Sequence, residues 1–171
     1  MKNYRVGIIG ATGMVGQRFT TLLENHPWFH VTALLASASS AGRTYREAVE
    51  GRWAMKTPIP AAMADMVIRD AADIDGVKDQ VDFVFCAVNM PKAQIRELEE
   101  AYAKAEIPVI SNNSACRGLD DVPMIIPELN ADHARVIETQ RRRLGTRRGF
   151  VAVKSNCSIQ SYVPALTPLK E

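Results

Sequence analysis

Runs of apolar residues recur along the chain at strand length, with segments of helical spacing between them. Tyr4–Ile9 is a short apolar strand. Residues 14–24 follow with helical spacing, placing Val15, Phe19, Leu22 and Leu23 on one face. Residues 30–35 predict a second strand, and 66–69 a short one. The stretch 37–60, rich in Ser, Ala and Gly, predicts irregular chain. Residues 81–88 are apolar and β-branched, as in a buried strand. Residues 91–104 predict a helix with Pro91 in its first turn, and 107–110 another strand. Residues 131–143 predict a helix, 150–153 a last strand, and 159–169 the beginning of a further helix. Short apolar strands separated by helices indicate βαβ units, and so an α/β, doubly wound, mostly parallel sheet.

In such sheets ligands lie beyond the carboxyl ends of the strands, so the residues just after each strand weigh most. Gly10, Gly13 and Gly16 follow the first strand at every third position. Gly10 permits a tight turn, Gly13 lets the backbone approach a pyrophosphate, and Gly16 lets the helix pack close to the strand. The helix N-terminus offers free N–H groups and a positive dipole end to the phosphates. The G-x-x-G-x-x-G spacing is a variant of the dinucleotide fingerprint, set in the required strand-turn-helix context of a Rossmann-like unit. A turn that serves packing alone is the plainer alternative. After the second strand an Asp or Glu would bond the ribose 2′-hydroxyl of NAD. Here the chain reads Ala36-Ser37-Ala38-Ser39-Ser40-Ala41-Gly42-Arg43. Hydroxyls and an arginine suit a 2′-phosphate that an acid would repel, so NADP is expected over NAD. A solvated Ser-rich loop is the alternative.

The 171 residues suffice for one sizeable core, or for one core and the start of a second domain. A net charge of +2 gives no global reason for nucleic-acid or acidic-membrane binding. The arginine-rich run 141–148 reads as a solvated helix end and loop. No apolar run approaches the roughly 18 residues of a membrane span. Met1-Lys2-Asn3 leads directly into the first strand without a signal peptide, so a cytoplasmic location is expected. Cys86, Cys116 and Cys157 are far apart, lack metal-site spacing and read as reduced thiols; no metal is expected.

Two more segments carry candidate chemistry. In Val151-Ala152-Val153-Lys154-Ser155-Asn156-Cys157-Ser158-Ile159 a strand ends, a small polar turn follows and a helix begins. Cys157 then lies at or near a helix N-terminus, where a thiolate is favoured, and the Asn156 amide with nearby N–H groups suits an oxyanion. An inert buried cysteine is the alternative. Aldehyde oxidation through a thioester needs a thiol and a nicotinamide together. In Ile110-Ser111-Asn112-Asn113-Ser114-Ala115-Cys116-Arg117, Arg117 offers a planar fork to a phosphate or carboxylate, with Asn113 and Ser114 as neutral donors. A surface arginine in a polar turn is the alternative.

On these residues the chain resembles aspartate-semialdehyde dehydrogenase, in its archaeal and fungal branch. The matching stretches are Gly10-Ala-Thr-Gly-Met-Val-Gly-Gln-Arg-Phe19, Ser40-Ala-Gly-Arg43, Ile110-Ser-Asn-Asn-Ser-Ala-Cys-Arg117, Ile126-Pro-Glu-Leu-Asn130 and Ser155-Asn-Cys-Ser158, in family order. The resemblance implies reversible conversion of aspartate semialdehyde, NADP and phosphate to 4-aspartyl phosphate and NADPH, in aspartate-family amino-acid biosynthesis. Cys157 matches the nucleophile that carries the thioester, with Asn156 beside it, and Arg117 matches the phosphate-binding arginine. Thr12, Gly13, Met14 and Val15 match the cofactor turn; Ser37 and Ser40 match the loop around the 2′-phosphate.

Three residues and one segment depart from that pattern: Ser39 and Arg43 in the serine loop, Cys116 in the anion loop, and the segment Cys86-Ala-Val-Asn89. Family members are longer. After the nucleophile they carry a second domain with the catalytic histidine, the carboxylate-binding arginines and most of the interface of a homo-oligomer. The three histidines here, His26, His30 and His133, do not match that base. The resemblance therefore implies an NADP-binding domain over 1–153, the start of a catalytic domain over 154–171, and no turnover by this chain alone. A non-catalytic NADP-binding module and a malonyl-CoA reductase-like enzyme are the competing readings. N-acetyl-glutamyl-phosphate reductase fits less well, because Ser-Asn-Cys-Ser lacks that family's proline and glycine.

Overall fold

A computed structural model describes residues 3–169. The chain divides into two compact units, Met1–Pro91 and Lys92–Glu171. The first contains β1 (Tyr4–Ile9), α1 (Met14–Leu22), β2 (Phe29–Ala36), α2 (Tyr45–Val49), α3 (Ala61–Ala64), β3 (Arg69–Asp70) and β4 (Phe83–Cys86). Its strands pair in parallel in the order β3-β2-β1-β4. β1 is hydrogen-bonded on both sides, with Ile9 opposite Leu35 of β2 and Cys86 of β4. Val6, Ile8 and Ile9 are fully buried, the pattern of a parallel strand covered on both faces. The core adds Leu34, Tyr45, Val49 and Ile68, and Phe19 stacks on Phe85 at 4.7 Å between ring centroids.

Two expectations fail in this unit. Val15 and Leu22 are 41% and 57% exposed; α1 buries Gly16, Gln17 and Thr20 instead. The close approach of Gly16 to the turn before it sets the inward face, and that outweighs the apolar stripe. The stretch predicted as irregular contains α2. Thr44 caps it: the Thr44 hydroxyl accepts from Glu47 N–H, while the Glu47 carboxylate accepts from Thr44 N–H at 2.9 Å. This capping box is worth more than the Ser/Ala/Gly composition around it, and those bonds hold the Glu47 carboxyl below the usual range.

The second unit contains α4 (Lys92–Lys104), β5 (Val109–Ser111), β6 (Met124–Ile125), α5 (Pro127–Asn130), a 3₁₀ segment Ala131–Val136, α6 (Ile137–Leu144), β7 (Val151–Lys154), α7 (Cys157–Leu166) and a closing 3₁₀ turn Thr167–Leu169. β5 and β6 flank β7, both in parallel. The single helix expected over 131–143 is three pieces, begun at Pro127. The Asn130 side chain ties their start to β6: Oδ1 accepts from Ile126 N–H at 2.8 Å, and Nδ2 donates to Met124 O at 3.0 Å. β6, two residues long, was not expected. α7 starts at Cys157, two residues earlier than predicted, because Asn156 caps it; Oδ1 accepts from Ser158 N–H at 2.9 Å.

The arginine run is not simply solvated. Arg143 spans Asp121 and Glu100, and Arg141 pairs with Glu138 and lies 5.5 Å from the Phe150 ring centroid. Among the described residues no helix is long and apolar enough to cross a membrane.

Candidate functional site

In the first unit the chain leaves β1 through Gly10 with φ 85°. A Cβ at Gly10 would lie 2.6 Å from Ala87 O, and one at Gly16 would lie 2.7 Å from Ala11 Cα and collide with Gly10 O. Only glycine fits at either place. Gly10 and Ala11 N–H groups both donate to Leu35 O, at 2.8 and 3.0 Å, which ties the turn to the end of β2. Gly13 is the extended residue before α1 and provides no side-chain cap, so the first N–H groups of α1 have no intrahelical partner. Thr12, Met14 and Val15 line this helix start, and Met14 is 70% exposed.

Side chains brace the turn from behind. Gln17 Nε2 donates to Thr12 O at 3.0 Å and to Arg52 O at 3.1 Å. The Tyr45 hydroxyl donates to Ala11 O at 3.0 Å. Burial pushes the Tyr45 pKa up to about 12, a rise partly offset by its bond with Thr20, so the phenol stays a donor. The serine loop follows β2. Ser37 and Ser39 hydroxyls lie 2.9 Å apart, Ser40 is buried, and Arg43 Nη2 donates to Glu47 O at 2.6 Å.

In the second unit Cys157 is the first residue of α7 and is exposed, whereas Cys86 and Cys116 are buried. Its thiol lies 3.8 Å from Asn156 Oδ1. Arg117 is brought to the same turn: Nε donates to Lys154 O at 3.0 Å and Nη2 to Ser155 O at 3.2 Å. A longer bond of 3.4 Å runs from Nη2 to Asn112 O. These bonds use one edge of the guanidinium and hold it beside the residues that precede Cys157. Asn113 is turned inward, with Nδ2 3.3 Å from Glu99 Oε1 and its N–H 3.0 Å from Ser111 Oγ. Cys116 does not share the exposure of Cys157; burial first, then the Glu99 carboxyl group, push its thiol up to about 12.

Three residues of these surroundings escape a reading of motifs: Gln17, Tyr45 and Glu99. Tyr45 had a signal, the Thr44-x-x-Glu47 box just ahead of it. Gln17 and Glu99 are polar residues on inward helix faces, visible only once those faces are known. Among the described residues no group of three His, Cys, Asp or Glu side chains is placed to hold a metal ion.

A family model described as semialdehyde dehydrogenase, NAD binding domain, matches residues 5–137. The aspartate-semialdehyde dehydrogenase of Archaeoglobus fulgidus is 40% identical over 168 residues, 98% of this chain and 47% of that protein. The Aspergillus fumigatus enzyme is 39% identical over 159 residues, 93% of this chain and 42% of that protein. The crystal structure of the Candida albicans enzyme with NADP aligns with a TM-score of 0.85 at 34% identity, over 98% of this chain and 47% of that one. The chain spans about half the length of these relatives, and the α/β, Rossmann-like class expected from its strands and helices is theirs.

Proposed function

The chain belongs to the semialdehyde dehydrogenase family through its NAD-binding domain, and on that premise we propose that it is the NADP-binding portion of an aspartate-semialdehyde dehydrogenase. The reaction is the conversion of aspartate semialdehyde, NADP and phosphate to 4-aspartyl phosphate and NADPH. The uncapped start of α1 at Thr12, Gly13, Met14 and Val15 suits the diphosphate. Ser37, Ser40 and Arg43 would hold the 2′-phosphate. Bound there, NADP supplies the hydride acceptor.

The remaining chemistry falls to the second unit. Cys157 Sγ adds to the aldehyde carbon, and Asn156 Nδ2 with the N–H of Cys157 itself are the donors offered to the oxyanion. After oxidation the acyl group is held as a thioester on Cys157. Arg117 keeps Nη1 for a phosphate, with Asn113 beside it in the same loop; attack by that phosphate releases the acyl phosphate and frees the thiol. The observation that carries this reading is the bonding of Arg117 to Lys154 O and Ser155 O, immediately before Asn156 and Cys157.

A general base is not proposed among the three histidines. The His26 ring stacks on Phe29, and His133 Nδ1 lies 3.2 Å from Met124 O. Residues 154–171 accordingly begin the catalytic domain, and the longer enzyme is a cytoplasmic homo-oligomer acting on small molecules. The test joins this chain to the C-terminal portion of the Archaeoglobus relative and follows NADPH formation from aspartate semialdehyde, NADP and phosphate. NADPH is expected from the joined protein, none from its Cys157→Ser variant. A joined, folded protein that makes no NADPH sinks the assignment. Equal affinity of the chain for NAD and NADP would contradict the reading of 37–43.

A further inference from the structure

Helix α4 buries Ile95, Glu99, Tyr102 and Ala103. Three of these are what an inward face carries; the fourth is a carboxylic acid with no solvent exposure. Such a group costs stability unless its oxygens are matched. Glu99 Oε1 is matched, by the Ser111 hydroxyl at 2.5 Å and Asn113 Nδ2 at 3.3 Å. Oε2 has no hydrogen-bond partner, and the Cys116 thiol of the same loop lies against the carboxyl group. A half-matched acid in a core is poor packing, and what it holds is one short loop. Ser111 Oγ, held by Glu99, accepts the Asn113 N–H at 3.0 Å, and between these two residues the Asn112 carbonyl accepts from Arg117.

We propose that Glu99 is a positioning residue for anion binding: it fixes loop 111–117 from inside the unit, through Ser111 and Asn113, so that Arg117 is presented to a phosphate. This rests on the assignment of Arg117 as the phosphate-binding residue. Oε1 is the working atom, since it alone reaches both Ser111 and Asn113.

The test titrates the 171-residue chain with inorganic phosphate. It follows the ¹H–¹⁵N signals of the Asn113 side-chain amide and of Arg117 Nε–H, with an NADP titration on the same samples. Glu99→Met removes both oxygens at similar volume. It should weaken phosphate binding about tenfold, shift the Asn113 signal and leave NADP affinity unchanged. Its melting temperature should fall, because the buried Ser111 hydroxyl and the Asn113 amide lose their acceptor. Glu99→Gln keeps an acceptor for Ser111 and Asn113 and should stay within about twofold of the parent affinity.

Unchanged phosphate affinity in Glu99→Met overturns the positioning role. So does a parallel loss of NADP and phosphate binding, which makes Glu99 a purely structural residue. If the parent chain binds no phosphate, or Arg117→Ala binds it equally well, the Arg117 assignment falls and takes the role of Glu99 with it. Phosphate binding that depends on Arg117 but not on Glu99 removes the role of Glu99 alone.

Discussion

Each unit buries one helical glutamine and spends it on backbone. In the first, Gln17 donates to Thr12 O and Arg52 O and accepts from Ala54 N–H at 2.8 Å. In the second, Gln140 donates to Asp121 O and Val151 O, at 2.9 and 3.0 Å, and accepts from Val151 N–H at 2.6 Å. Both amides satisfy main-chain groups that the sheet leaves open. Their surroundings differ. Around Thr12 the backbone is packed so closely that only glycine fits at 10 and 16, and Tyr45 adds a further bond. The turn that follows β7 has no such glycine. It rests on the Asn156 cap and on Arg117, and α7 beyond it buries no residue. The glycine turn is held by backbone packing and by side chains of its own unit. A cysteine turn made of side chains on an exposed helix is held only at its base.

Substitutions separate these two kinds of construction. Gly16→Ala places a methyl group against backbone that no side-chain rotation relieves. It should cost more than about 3 kcal/mol and abolish NADP binding, read by thermal unfolding and cofactor titration. A stable, NADP-binding Gly16→Ala chain would show that the turn adjusts. Gln17→Leu and Gln140→Leu each strand three backbone groups and should cost about 2–3 kcal/mol, measured by urea unfolding. Gln17→Leu should also weaken NADP binding, because Thr12 loses its brace, whereas Gln140→Leu should leave it intact. Equal effects on NADP would erase the distinction between the two glutamines.

A smaller effect belongs to Glu106. It follows α4 with φ 64° and accepts from Arg147, Arg148 and Gly149 N–H groups, the latter two at 2.6 and 2.8 Å. Those donors hold its carboxyl below the usual carboxylate range. A depressed folded-state pKa gives stability that is present above the unfolded value and lost as pH falls through the folded one. Glu106→Gln should therefore destabilise the second unit at neutral pH, by under about 1 kcal/mol because solvent screens the site. The difference should vanish in acid. A penalty that persists at low pH would point to packing, not charge.

The glycine turn and its context were legible because they are local: a strand, a fixed spacing and a helix in sequence. The same holds for α4, and for Cys157 near the start of a helix. What escaped depends on neighbours distant in sequence. The inward face of α1 follows from the contact of Gly16 with the turn, not from Val15 and Leu22. β6 is two residues that become a strand only by pairing with Val153 and Lys154 of β7. The bonds from Arg117 to Lys154 and Ser155 span 37 and 38 positions, and nothing in the anion loop announces them. The burial of Glu99 depends on Ser111 and Asn113, 12 and 14 positions further on, and nothing in its own helix marks it. The capping box ahead of Tyr45 was legible and was outweighed by composition.

Cys157→Ser should change stability least of all, within about 0.5 kcal/mol, as for a surface substitution away from any packed feature. The residue is exposed, its one thiol contact is the long one to Asn156 Oδ1, and the cap on Ser158 N–H belongs to Asn156 and survives the change. Reactivity should behave oppositely. Cys86 and Cys116 are buried, which shields both from reagent, and Cys116 is also pushed to about 12. A limiting dose of an alkylating agent should therefore label Cys157 first, and Cys157→Ser should remove nearly all rapid labelling while the melting curve overlays that of the parent. If Cys157 reacts no faster than the two buried thiols, its place at the helix start confers no activation, and the difference in exposure between Cys157 and the buried pair carries no chemical consequence.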